Sequence, residues 1–404
     1  MSAMEQMDIT KAIENKIDRS KWVKWKFSDL VENIVEKVVP KDSGLEHYIG
    51  LKHLDTGSLK IKRFGETESL IGNKLKIYKG DLIFAKRNSY LKRVAIADFD
   101  AVASAHAMVL RPNADNVNPD FLPFFMMSEL FWKRAIEISV GSLSPTINWK
   151  ALAKQEFLLP PKEEQAQLAK LLWAMDEVIE KENKSKEQYE LFYKRFLFDS
   201  VSGKSSKDSK TWKNHLFGSL GETFGGLNGK TKKDFGEGSP FVNYMNVFSN
   251  SKVDPSKVDY VKINEGEKQN ELKYGDILIT GSSETPEDLG MSSVVLESLE
   301  GYYLNSFCFG FRLNDFETLL PEYARFLMRG EHVRKFMFKR AQGSTRFNLS
   351  KTTVKEKMKV LLPTIVEQKK IADKLEFMEK NISTFESKIS ASKALQKSLI
   401  NQVF

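Results

Sequence analysis

Three short stretches concentrate side chains able to hold a polyanion. "AKRNSYLKR" carries Lys86, Arg87, Asn88, Tyr90, Lys92 and Arg93, "LNGKTKKD" carries Asn228, Lys230, Lys232 and Lys233, and "GSTRFNLSK" carries Ser344, Thr345, Arg346, Asn348 and Lys351. Ammonium and guanidinium groups neutralise phosphate, while an Arg fork matches guanine O6 and N7 and an Asn amide matches adenine N6 and N7. Ser144, Thr146, Asn148 and Ser282 are further hydroxyl and amide candidates for the same task. A single charged loop is as readily a solvated surface. Recurrence in both halves of the chain favours binding.

Covalent chemistry finds little support. "NPDF" at 118–121 resembles the Asn-Pro-Pro-Tyr/Phe loop with which adenine methyltransferases hold a target amino group, yet Asp120 replaces a proline and the second half of the chain has "LPEY". A helix start is the better reading. "FGGLNG" at 224–229 has neither the buried strand before it nor the helix after it that a cofactor loop needs, and reads as a flexible loop near a polyanion. There is no Walker lysine motif, Gly-x-Ser-x-Gly elbow or His-Glu-x-x-His. No catalytic residue is therefore assigned. The five histidines and the single cysteine, Cys308, lack zinc-ligand spacing, so no metal site is expected either. Cys308 reads as a small buried residue, and one cysteine excludes an intrachain disulfide and suits a reducing compartment.

These loops need elements to position them. At 404 residues and 41% hydrophobic, the chain can bury two or three cores, and 62 basic against 54 acidic residues leave a net charge of +8 on a mixed-sign surface. No run approaches the roughly 18 apolar residues of a membrane span, so a cytoplasmic protein without membrane contact is expected. The organisation is a duplication. "LLPPKEEQAQLAKLLWAMDEVI" from Leu158 overlays "LLPTIVEQKKIADKLEFMEKNI" from Leu361, pairing Gln165 with Gln368. Apolar positions then follow at alternating spacings of four and three: Leu168, Leu172, Met175 and Ile179 in one copy, Ile371, Leu375, Met378 and Ile382 in the other. That is the a/d seam of a heptad, on helices of about 35 to 40 residues. Upstream, "NPDFLPFFMMSELFWKRAIEISVGS" overlays "LPEYARFLMRGEHVRKFMFKRAQGS", and "YKGDLIFAKRNS" overlays "KYGDILITGSSE".

Short β-branched runs such as "DLIFA", "VAIADF" and "DILIT", separated by Gly, Asn and Asp, predict a bent sheet in each copy, and "PDFLPFFMMSELFWKRAIEI" predicts a following helix. The resulting division is an N-terminal amphipathic helix at 1–21 through Ile9, Ile13 and Ile17, a first globular domain at 22–157, a long helix at 158–202, a Ser/Lys-rich linker at 203–210, a second globular domain at 211–360, and a second long helix at 361–404. The fold class is α+β, with two mixed globular domains in tandem repeat, each followed by a long helix.

A globular domain, an "LPP...EQ" helix opening, and the repetition of both resemble the specificity subunit of type I restriction-modification systems. The resemblance covers nearly the whole chain and rests on "GDLIFA" and "GDILIT", on "GSLSPTINWKALAKQEFLLPPKEEQAQLAKLLWAMDEVI" and on "GSTRFNLSKTTVKEKMKVLLPTIVEQKKIADKL". It implies two target recognition domains, each reading one half of a split sequence in double-stranded DNA, and long helices pairing as an antiparallel coiled coil. It implies two modification (methyltransferase) subunits as partners, with restriction (translocase/nuclease) subunits beside them. S-adenosylmethionine, ATP and Mg would belong to those subunits, leaving this chain without a cofactor.

From these implications the seam is expected to set Leu172, Met175 and Ile179 against Leu375, Met378 and Ile382, with a spacer near one DNA turn, about 10 base pairs between half-site centres. Trp173, off the seam and without an apolar equivalent in the second copy, would either dock a modification subunit or pack on its own recognition domain. The alternative reading is a coiled-coil adaptor or nonspecific nucleic-acid scaffold. The specificity half of a single-chain restriction-methylation enzyme would require a methyltransferase region that this sequence lacks.

Overall fold

The computed structural model describes residues 18–203 and 211–404. The expected helix through Ile9, Ile13 and Ile17, and all of the expected linker but Gly203, lie outside the described residues. The chain divides into two compact units. One holds the described residues up to Lys184 together with Glu386–Phe404, and the other holds Ser185–Phe385. Each long helix, Lys162–Ser202 and Ile365–Val403, therefore contributes one segment to each unit.

The first unit is built on a four-stranded antiparallel sheet in the order Val31–Ile34, Met108–Pro112, Leu82–Phe84, Val94–Ile96. Successive strand side chains point to opposite faces. Leu82, Phe84 and Leu110 accordingly join a core with Phe27, Phe131 and Trp132, while Ile83, Ala85 and Val109 join another with Ile49 and Ile77. Burial on both faces explains why "DLIFA" is continuously apolar rather than alternating. The second core is closed by a five-stranded sheet, Lys37–Val38, Lys74–Ile77, Ala101–Ala103, His47–Ile49, Gly65–Glu66.

The second unit repeats the arrangement with Gly221–Gly225, Cys308–Leu313, Ile277–Thr280 and Ser292–Val294. Ile277, Ile279 and Phe311 face one core, and Leu278 and Cys308 face the other. The duplication is thus one of strand order as well as of sequence.

Four features differ from expectation. Leu158 and Leu361 do not begin helices: Glu156–Leu159 pairs with Val23–Lys26, and Lys359–Leu362 with Lys213–Leu216. The helices start only after the prolines at 160, 161 and 363, whose missing N–H groups end the pairing. The helix expected from "PDFLPFFMMSELFWKRAIEI" is two, Leu122–Met127 and Glu129–Glu137, broken where Ser128 turns extended and caps the second by accepting from Phe131 N. "FGGLNG" is no loose loop, since its first residues end the strand Gly221–Gly225 and Leu227, buried, donates to Leu304 O at 2.7 Å.

The seam residues are buried or half-buried, but their partners differ from those expected. In the first unit Leu172 lies in one core with Leu399, Ile400 and Val403, and its carbonyl accepts from Gln396 Nε2 at 3.3 Å. Ser392 bonds Glu182 further along. In the second unit Leu375 shares a core with Tyr193, Phe196 and Leu197, and Asn381 Nδ2 donates to Tyr189 Oη at 2.9 Å. Numbers rise along one helix as they fall along the other, so the segments run antiparallel. The direction is the one expected and the register is not: Leu172 meets the 396–403 segment of its own unit, and Leu375 the 193–197 segment of its own.

Candidate nucleic-acid interface

Two repeated polar devices hold each unit's scaffold. Where "GD" ends its turn, Gly80 and Gly275 take φ of +94° and +87°, which favours glycine. The following carboxylates, Asp81 and Asp276, are buried. Arg111 Nε and Nη2 reach Asp81 at 2.8 and 3.0 Å, and Arg312 reaches Asp276 at 2.8 and 2.7 Å. Hydrogen bonding to these carboxylates raises both guanidinium pKa values. The second device is the repeated glutamine. Buried Gln165 accepts from Asn118 N and donates to Pro160 O, both at 2.8 Å, while Gln368 accepts from Leu320 N at 2.9 Å and donates to Pro363 O at 3.0 Å. The "EQ" signature is a clamp between the long helix and the helical pair.

On this scaffold each unit carries a polar edge. In the first, the stretch after Leu82–Phe84 runs beside the segment 140–147: Ile147 N donates to Lys86 O at 2.9 Å, Ser89 N to Pro145 O at 3.2 Å, and Arg87 bridges Thr146. In the second, Ser282 pairs with Asn348 and Ser283 with Phe347, and Leu349 N donates to Gly281 O at 2.9 Å. Gly141 and Gly343, at φ of +104° and +130°, open the equivalent turns. Val140 bridges Thr146 and Gln342 bridges Asn348, closing two short hairpins.

The structure brings some candidates together and separates others. Arg87, Ser144 and Thr146 lie along one edge, and Asn148 follows, exposed, ahead of the helix Trp149–Leu152. Lys86 is half-buried there, and burial lowers its pKa. Asn88 and Lys92 take left-handed φ of 56° and 47° on either side of the turn Ser89–Leu91, with Tyr90 exposed upon it. Lys92 is ion-paired to Glu129, and Arg93 donates to Leu51 O at 2.6 Å while burial lowers its pKa. Both hold the unit's own structure.

In the second unit Ser282, Asn348 and the exposed Ser344, Thr345 and Arg346 share the hairpin edge, and Lys351 opens the helix Lys351–Lys357 with Nζ close to Gly225. Asn228, Lys230, Lys232 and Lys233 belong to another loop, packed against 262–269. Lys230 is buried there on Glu267 and Lys262 O, the Asn228 backbone N–H donates to Gln269 Oε1 and its carbonyl accepts from Gln269 Nε2, and Lys232 and Lys233 remain exposed.

Trp173 is used within its unit. Its Nε1 donates to Asp120 O at 3.0 Å and its ring meets Phe124 edge-on at 4.9 Å. That is the packing arm of the two expectations. Asn118, in "NPDF", accepts from the backbone of Asp120 and Phe121, as a helix start requires.

Sequence reading missed two rings. His106 follows Ser104 in a turn where Ser104 Oγ accepts His106 N at 3.2 Å, and Phe307 follows Asn305 in the same turn, Asn305 Oδ1 accepting Phe307 N at 2.8 Å. Both rings are exposed, and each stands beside a guanidinium: Arg87 Nη1 is 3.5 Å from His106 Nε2, and Arg346 Cζ is 5.0 Å from the Phe307 ring centre. Overlaying "ASAHAMV" on "LNSFCFG" would have exposed the equivalence. Among the described residues no helix is long and apolar enough to cross a membrane, and no His/Cys/Asp/Glu group could hold a metal ion.

Residues 20–191 and 210–392 each match the type I restriction modification DNA specificity domain. The chain is 29% identical over 136 residues to the type I restriction enzyme MjaVIII specificity subunit of Methanocaldococcus jannaschii, covering 32% of each chain. It is 26% identical over 164 residues to the EcoDI specificity subunit of Escherichia coli, covering 39% of this chain and 36% of that one. These matches span about a third of the relatives' length. A chain from a study of complex assembly and conformational transition in the type I R-M system superposes with TM-score 0.61 at 16% identity, covering 95% of this chain and 99% of its own. The S subunit from M. genitalium superposes with TM-score 0.55 at 15% identity, covering 97% and 98%. Both structures share the fold.

Proposed function

The chain belongs to the type I restriction-modification DNA specificity family, and from that premise we propose that it selects an asymmetric, two-part DNA target for a methyltransferase carried by other subunits. One observation carries the reading: the same sheet, hairpin and glycine turn occur twice, yet the loops they present are chemically unrelated. "AKRNSYLKR" occupies in the first unit the place of "TGSSETPED" in the second. A repeated scaffold with divergent loops suits two half-sites of different sequence. The continuous helices suit a spacer that is not read, and an N6-adenine methyltransferase bound beside each unit would modify the two half-sites. S-adenosylmethionine, and ATP with Mg for any restriction subunit, would then be held by the partners. Such an assembly works on chromosomal DNA and therefore in the cytoplasm.

The test is single-molecule sequencing of genomic DNA for N6-methyladenine, from cells carrying the neighbouring methyltransferase gene with and without this gene. A split motif methylated only when this chain is present supports the reading. Unchanged methylation with an expressed, active partner refutes it, and DNA binding without sequence preference would favour the nonspecific scaffold.

A further inference from the structure

Each unit sets an exposed ring beside an arginine, and the two pairs are built from different parts. In both units a side-chain-capped turn, Ser104 to Ala107 and Asn305 to Cys308, presents an exposed ring at its third position, with the turn closed by Ala107 N on Ser104 O at 2.9 Å and Cys308 N on Asn305 O at 3.0 Å. The arginine beside the ring comes from opposite sides of the edge. Arg87 follows the strand Leu82–Phe84, whereas Arg346 lies in the hairpin that Gly343 opens, and the first unit's hairpin has Pro145 and Thr146 in that region instead. Simple copying of an ancestral residue would have kept one strand as the source.

Neither guanidinium has a carboxylate partner among the described residues. Arg111, Arg312 and Arg325, by contrast, are ion-paired, and Arg329 and Arg334 are bonded to backbone carbonyls. The Phe307 face holds the planar Arg346 guanidinium in one orientation while leaving its N–H fork open, whereas His106 meets Arg87 at its ring edge, Nε2 beside Nη1, and leaves Nε and Nη2 to face a ligand. That combination matches the O6 and N7 acceptors of guanine in the major groove.

We propose that Arg87 beside His106 and Arg346 on Phe307 each read one guanine, in the first and second half-site respectively, the rings acting as positioning residues for the guanidinium groups. This rests on the DNA-specificity reading. The test is selection of bound sequences from a randomised duplex pool by this chain copurified with its modification subunits, for wild type and for Arg87→Ala, Arg87→Lys, His106→Ala, Arg346→Ala, Phe307→Ala and Phe307→Tyr.

Arg87→Ala and Arg87→Lys relax one guanine position by roughly 5- to 150-fold and leave the other half-site unchanged, which also reports an intact fold. His106→Ala relaxes that same position, and Arg87→Ala with His106→Ala relaxes it no further. Arg346→Ala and Phe307→Ala do the same in the other half-site, with Phe307→Tyr restoring the preference. Uniform weakening at all sequences, with binding retained by Arg87→Lys, marks phosphate contacts and overturns the proposal while the specificity reading stands. A wild-type complex with no sequence preference overturns both.

Discussion

Gln165 Oε1 accepts the backbone N–H of Asn118 at 2.8 Å, tying the first turn of a 41-residue helix to the start of the helical pair that packs beneath the sheet. Gln368 makes the same bond to Leu320. Gln165→Leu keeps the volume but leaves Asn118 N–H and Pro160 C=O without partners, at about 1 to 3 kcal/mol. Urea unfolding should show this as a lower midpoint. An unchanged midpoint would mean that water replaces the amide.

Arg312→Met strands the buried carboxylate of Asp276. Removing one partner of a buried pair is more harmful than replacing both, because the remaining charge keeps its desolvation penalty. The single variant should lose about 3 kcal/mol, and Arg312→Met with Asp276→Leu should recover part of the loss. A double variant as unstable as the single one would argue that the carboxylate shapes the turn through its bond from Lys273 N rather than through the ion pair.

Cys308 predicts an alkaline weakness. Burial pushes its thiol up to about 12, so the folded state binds the proton more tightly than the unfolded chain, whose thiol titrates near about 8.5. The resulting stability is complete below the unfolded value and is lost as pH rises toward 12. Tyr274, also raised to about 12, acts in the same direction above its ordinary value, so wild type must be compared with Cys308→Ala. The stability difference between them should narrow from pH 8 to pH 11. At pH 8 the native thiol should resist a disulfide reagent, and rapid labelling without unfolding would contradict its burial.

The second unit contains a cavity of about 350 Å³ lined by Val201, Leu327, Val333 and Val360, among others. Strand register pairs Val360 with His215 as Phe157 pairs with Trp25, so the first unit carries phenylalanine where the second carries valine. Val360→Phe should bury more apolar surface in existing space and raise stability by about 1 kcal/mol, read as a higher urea midpoint. A loss would show that the site closes too tightly for a ring.

Much of the fold was legible because its signals are local. Continuous apolar runs marked two-sided strands, heptad spacing marked the long helices, and self-overlay revealed the duplication. The prolines at 160, 161 and 363 could have marked the helix starts, since the residues before them pair as strands. The interface was harder to read. Lys92, Arg93 and Lys230 have the same composition as Arg87, and only the positions of Glu129, the Leu51 carbonyl and Glu267 separate those used internally from those left open.

What the amino-acid order determined by itself was periodicity and repetition: two copies, their strands, their helices, and which helix face is apolar. A heptad stripe fixes no register, so it cannot say whether Leu172 meets Leu375 or Leu399. Tertiary packing decided that, because the observed register closes one core around Leu172 with Leu399 and another around Leu375 with Phe196. It also placed His106 beside Arg87 and Phe307 beneath Arg346, pairings between residues distant in sequence that no local pattern encodes.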